Sequence, residues 1–122
     1  MRMWMVDPKK MCRKHLLGEH VEIHMMAGTL LKGRSIDGFL ERGLLEPQSA
    51  RKRHDALVAE MRARGYKHAS PLPEFPRYNC LVRVRVERSE AELAARCPDC
   101  RKLIEGIGEI MYCKSPTQRK ER

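Results

Sequence analysis

Several features a small protein might be built on are scarce here. The 122 residues include one Trp, three Tyr and two Phe. So few aromatics argue against a broad base-stacking platform of the kind that grips single strands. No apolar run approaches the roughly 18 residues of a membrane span, and the start "MRMWMVDPKK" lacks the apolar stretch of a secretory signal. The expectation is an intracellular, cytoplasmic protein with no membrane partner. Cysteines number five, an odd count, and in a reducing compartment they need not pair. No internal repeat is visible.

Positive charge is what the chain has in excess. Twenty-five Lys and Arg stand against 16 Asp and Glu, a net +9. Such a chain suits a polyanionic partner, because each phosphate it neutralises releases condensed counterions. A solvated basic surface without a partner is the plainer alternative. The length suits one domain with one modest core. Residues 1–113 read as that domain and 114–122, "KSPTQRKER", as a basic disordered tail. A monomer is expected.

The periodicity predicts a mainly helical chain. Asp7 before Pro8 offers a cap and a first helical position. From about Cys12 to Lys32, Leu16, Leu17, His20, Ile23, Ala27, Leu30 and Leu31 recur at helical spacing, and Gly33 is a natural stop. "SIDGFLERG" reads as a short helix ended by Gly43. Pro47 opens a second long helix to about Arg64, closed by Gly65, with Ala50, His54, Leu57, Val58 and Met61 inward and a basic outer face. "SPLPEFP" (70–76) is an irregular connection. "LVRVRVE" (81–87) alternates like a strand, although one strand without a partner is marginal. Ser89 and Glu92 form a capping box for a helix through Arg96, and a last turn or helix runs from Asp99 to Glu105. The fold class is therefore all-α: a compact single-domain helical bundle with the N-terminal segment packed on the first long helix.

The chemistry concentrates in "HLLGEHVEIH" (15–24). His15 and Glu22 lie seven apart, two turns along one face, with Gly18 and Glu19 between. Glycine inside a helix costs roughly 1 kcal/mol against alanine, and here it leaves a notch one turn below Glu22. His20 and His24, at i and i+4, could suit zinc. Their string is H-V-E-I-H, however, and the helix offers no obvious third ligand, so they read as core-lining histidines. By itself Glu22 reads as a solvated helix carboxylate.

These residues together resemble the pyrimidine-dimer DNA glycosylase family, the bacteriophage endonuclease V-like repair enzymes. "MRMWMV" places Arg2 where the family has an arginine beside its reactive terminus. "HLLGEHVE" has the histidine seven before the catalytic glutamate, and "RKRHDALVAEMRARGY" (51–66) is similar to a later family helix. The resemblance covers most of residues 1–66.

It implies a DNA glycosylase with AP-lyase activity on pyrimidine dimers in double-stranded DNA. The α-amino group attacks the sugar, forms a Schiff base, and β-elimination cuts the strand. The amine falls on Met1, expected to be retained because Arg2 is too large for methionine removal. The carboxylate falls on Glu22, and His15 orients it or contacts a phosphate. An α-amino group has a reference pKa of about 7.7–8.0, against about 10.4 for lysine, so an uncharged nucleophile is available near neutrality. For DNA contact the candidates are Arg2, Lys14, Arg51, Lys52, Arg53 and Arg64. Reaching the sugar requires bending the duplex or extruding a base.

The sequence departs from the family at Val21 and Met25, where the bacteriophage enzyme carries arginines. It departs again at "RCPDCRKLIEGIGEIMYC" (96–113), which replaces an aromatic-rich stretch. Two further readings stay open: an abasic-site lyase or glycosylase for another lesion on the same scaffold, and a non-catalytic basic DNA-binding module. No cofactor is expected. Cys97 and Cys100 make half a zinc site, with Cys113 thirteen beyond. Cys80 or Cys12 could complete it only through the fold, and plain thiols are the simpler reading.

Overall fold

Apolar residues three and four apart make Arg13–Leu31 the longest helix, α1. Its buried face carries Leu16, Ile23, Met26, Ala27 and Leu30, joined by Glu19 and His20. Gly33 ends it at φ 71°, a backbone conformation that costs other residues about 1–2 kcal/mol. Gly33 N–H then donates to Leu30 O and Arg34 N–H to Thr29 O, satisfying the last carbonyls. The computed structural model describes residues 1–67, 70–78 and 80–106. Cys113 and the basic tail lie outside them.

After α1 come a short helix α2 (Asp37–Glu41), then α3 (Ala50–Ala63), entered through a 3-10 turn at Pro47–Ser49. Both α2 and α3 close on the same glycine motif as α1: Leu44 N–H reaches Phe39 O across Gly43, and Tyr66 N–H reaches Met61 O across Gly65. The expected inner stripe of α3 is the buried one: Ala50, His54, Leu57, Val58 and Met61. α3 packs on α1, and residues 3–6 complete the core, with Met3 and Val6 fully buried. Asp7 caps the 3-10 turn at Pro8–Lys10 by accepting from Lys9 N–H.

Two expectations fail beyond the proline-rich connection. Residues 81–85 form no strand, nor is there any strand among the described residues. Their backbone is satisfied by side chains instead: Gln48 Nε2 donates to Val82 O at 2.8 Å and Val84 N–H to Glu46 Oε1 at 2.9 Å. Leu81 is 98% exposed, so the alternation has no sheet to pack on. Nor does Ser89 cap a helix. α4 begins at Val86 and runs to Arg96, leaving Ser89 buried in its first turns and donating its N–H to Arg85 O. The last helix, α5 (Pro98–Ile104), starts one residue before the expected place. Leu93, Cys100 and Leu103 of α4 and α5 are buried, each leucine adding roughly 1.5–3 kcal/mol of apolar burial. No described helix is long and apolar enough to cross a membrane.

Candidate functional site

His15, Glu22 and Thr29 recur every seven residues and form one stripe of α1, about 21 Å long at 1.5 Å per residue. The chain's first residues touch both ends of that stripe. Trp4 presents its ring edge-on to His15, centroids 5.9 Å apart. Met1 lies beside Thr29, whose Oγ1 is 4.0 Å from the methionine sulfur. Residues 1–4 therefore run antiparallel along α1, with Glu22 midway. Glu22 is half-buried. Met3 N–H donates to Leu44 O at 2.7 Å, and Met5 holds a positive φ of 60°, uncommon outside glycine. At Gly18 an added Cβ would meet nothing within 4 Å, so the notch is open space in the free protein.

Arg2 leads from this stripe into a cleft. Its guanidinium lies 3.8 Å above the Trp4 ring and donates two hydrogen bonds to Glu92, at 2.9 and 3.0 Å. Those bonds hold the Glu92 carboxyl below its ordinary range, with Arg96 and Arg88 adding to the effect. The cleft encloses about 730 Å³ and is lined by Arg2, Arg42, Arg83, Arg85, Arg88 and Arg96, against Glu41 and Glu92. All but Arg2 of these arginines are exposed. Sequence reasoning missed them because the alternation of "RVRVERSE" predicts a strand, which splits its arginines from the α4 face. In a helix from Val86, Arg88, Glu92 and Arg96 fall on one stripe at i, i+4 and i+8.

The other expected DNA contacts divide. Lys14 and Lys52 are exposed. Arg51 is partly exposed but braces the proline-rich connection, donating to Pro73 O at 2.9 Å beside Glu74. Arg64 donates to Pro8 O, Met11 O and Glu60. Arg53 is a correction: it is buried, and its guanidinium binds both oxygens of the buried Glu19 at 2.6 and 2.9 Å. Its charge is spent joining α1 to α3 and offers nothing to a phosphate. In the sequence both residues look like surface charges.

His15 does not turn toward Glu22. Its Nδ1 is 3.3 Å from Cys12 Sγ and 3.6 Å from Cys100 Sγ, and Cys97 Sγ lies 3.9 Å from Cys12 Sγ. All four cysteines among the described residues, Cys12, Cys80, Cys97 and Cys100, are free thiols. The Cys12 thiol is drawn down to about 4 by its hydrogen bond with Cys100 and by His15, against burial, while Cys100 is pushed up by that same partner. A second cluster forms where His54 of α3 meets His20 and His24, ring centroids 4.7–5.2 Å apart. The third ligand that α1 does not offer beside His20 and His24 is thus supplied by α3.

A family model described as pyrimidine dimer DNA glycosylase matches residues 1–74. No curated protein and no solved structure matches the chain.

Proposed function

The chain belongs to the pyrimidine dimer DNA glycosylase family, a DNA-repair family acting on damaged DNA, and from that premise we propose how its own residues carry the reaction. The α-amino nitrogen of Met1 attacks C1′ of the 5′ nucleotide of a pyrimidine dimer. The N–C1′ bond forms as the glycosidic bond breaks and its electron pair leaves with the base. The nitrogen then gives up a proton and its lone pair opens the C1′–O4′ bond, O4′ taking the proton, to give the iminium; loss of a 2′ proton from it expels the 3′ phosphate, which is AP-lyase chemistry. Glu22 offsets the positive charge that develops on the sugar and the iminium, and helps move the proton. The observation that carries this reading is the path of residues 1–4 along the His15–Glu22–Thr29 stripe.

DNA is gripped by the arginines of the cleft beside Arg2, with Lys14 and Lys52 as outer contacts. The environment of His15 among thiols favours a positioning role: it supports Trp4, which lies under Arg2. Val21 and Met25 are each more than half exposed on the helix that carries Glu22. Apolar groups where the bacteriophage enzyme has arginines favour, as a second reading, an abasic-site lyase or a glycosylase for another lesion.

Borohydride trapping on duplexes carrying a dimer, an abasic site or neither tests both readings. The dimer reading expects an adduct with the first two substrates. Acetylating Met1 should abolish it, and Glu22→Gln should lower its rate on the order of 10²–10³-fold, the size typical of a lost electrostatic stabiliser. An adduct with the abasic duplex alone supports the second reading. No adduct with either lesion leaves a non-catalytic basic module.

A further inference from the structure

The reaction leaves the thiol cluster unused, and its geometry is that of a metal site. We propose that Cys12, His15, Cys97 and Cys100 hold one zinc ion in a closed Cys3His site that fastens the start of α1 to the α4–α5 junction.

The four candidate ligand atoms all lie within 4.8 Å of one another. Zinc binds thiolate at about 2.3 Å and imidazole at about 2.05 Å in tetrahedral geometry, which requires sulfur–sulfur separations near ~3.8 Å and sulfur–nitrogen separations near ~3.6 Å. The observed spacings are 3.9 Å for Cys12–Cys97, 3.3 Å for Cys12–His15 and 3.6 Å for Cys100–His15. These three agree to within about 0.3 Å, and the remaining pairs lie within 4.8 Å. A disulfide needs its sulfurs at about 2.05 Å, and these cysteines are unbonded.

The local sequence explains the convergence. Cys12 flanks the first residue of α1 and His15 lies three residues on; Cys97 flanks α5 and Cys100 lies three residues on. Each pair is thus a C-x-x-C or C-x-x-H unit whose two side chains project from one turn, and the fold brings the two units together. The backbone already treats the sulfurs as acceptors: Cys12 N–H donates to Cys100 Sγ at 3.2 Å and Cys100 N–H to Cys97 Sγ at 3.4 Å. Such bonds orient ligating thiolates and offset their charge. Soft thiolates with one imidazole select zinc over the oxygen-seeking divalent ions. With all four positions taken by side chains, the site keeps no open place for water, so its role is structural rather than Lewis-acidic. The ion would immobilise His15, which meets Trp4 edge-to-face, and Trp4 in turn lies under Arg2.

The test is elemental analysis of the full-length protein, purified with reductant and without chelator. About one zinc per chain is expected, and cobalt exchanged into the site should show the intense absorption of a tetrahedral thiolate complex. Cys97→Ser should lose most of the metal. Cys80→Ser, away from the cluster, and His15→Cys, which keeps four ligands, should retain it. Should Cys97→Ser fail to fold, thiol-directed release of zinc from the wild-type protein carries the same information: three alkylated cysteines per zinc freed, with Cys80 and Cys113 reacting independently. A folded protein without zinc overturns the proposal. So does a full complement of zinc in Cys97→Ser, or metal lost instead in His54→Gln, which would place it on the histidine cluster.

Discussion

Replacing Glu19 by Gln keeps the shape of the side chain and removes one charge from the most deeply buried ion pair described in the protein. The side chains of Arg53 and Glu19 are 6% and 0% exposed, and the contact is bidentate. The substitution leaves the Arg53 guanidinium in the core facing a neutral amide. Breaking a buried pair from one side costs about 3–5 kcal/mol, a large share of the 5–15 kcal/mol typical of a domain. At roughly 4–8 °C per kcal/mol for a domain of this size, the melting temperature should fall by ~12 °C or more. Arg53→Met should cost a similar amount, because it strands the Glu19 carboxylate. The double variant Glu19→Leu/Arg53→Met should recover much of the loss, since hydrophobic replacement of a whole buried pair is often close to neutral. Urea unfolding of wild type, Glu19→Leu, Arg53→Met and the double variant closes the cycle and gives the coupling energy, and at least ~2 kcal/mol is expected by this logic. Single variants costing under ~1 kcal/mol, or costs that simply add, would refute the account of Arg53 as an internal brace.

Four further outcomes follow from the site. Neutralising Arg83, Arg85 and Arg88 together should flatten the dependence of DNA binding on salt by about 0.9 for each phosphate the cleft then leaves unneutralised; an unchanged slope removes the cleft from the interface. Gly18→Ala should raise stability by roughly 0.5–1 kcal/mol, because nothing in the free protein meets the new Cβ, yet slow adduct formation if the nucleophile or substrate uses the notch. Gly43→Ala, at φ 69°, should lose about 1–2 kcal/mol in a thermal melt. The Glu92 carboxyl is lowered from an ordinary 4.5 by Arg2, so its contribution is complete above that pH and fades as the pH falls through the lowered value. Melting curves of wild type and Glu92→Gln should therefore converge in acid, from a small gap at neutrality because the pair is partly exposed and screened.

What could be read in advance follows the range of the physics. Helical periodicity is local, and it located α1, the buried stripe of α3 and three of the four glycine stops, Gly106 after α5 being the fourth. The stripe joining His15 to Glu22 is equally local. Burial of a charge is not: nothing near Arg53 in the chain distinguishes it from Lys52, because its partner comes from another helix. The same holds for the thiols, where Cys12 and Cys97 meet across 85 positions. "LVRVRVE" failed for a related reason, since alternation specifies a strand only where a neighbour can pair with it, and here Gln48 and Glu46 take the backbone groups.

The contacts that fix the beginning of the chain come from near its end. Arg2 is held by Glu92, Lys10 pairs with Glu90, and Cys12 meets Cys97 and Cys100. During synthesis the first dozen residues thus leave the ribosome long before their anchors exist. Such distant closures form late and slow folding. Until α4 and α5 are made, Arg2, Lys10 and Cys12 lack these partners, and residues 1–4 have only α1 and Leu44 to rest on. A substitution at Glu92, Glu90 or Cys97 should therefore loosen residues 2–12, although it lies in or beside the last helices of the fold.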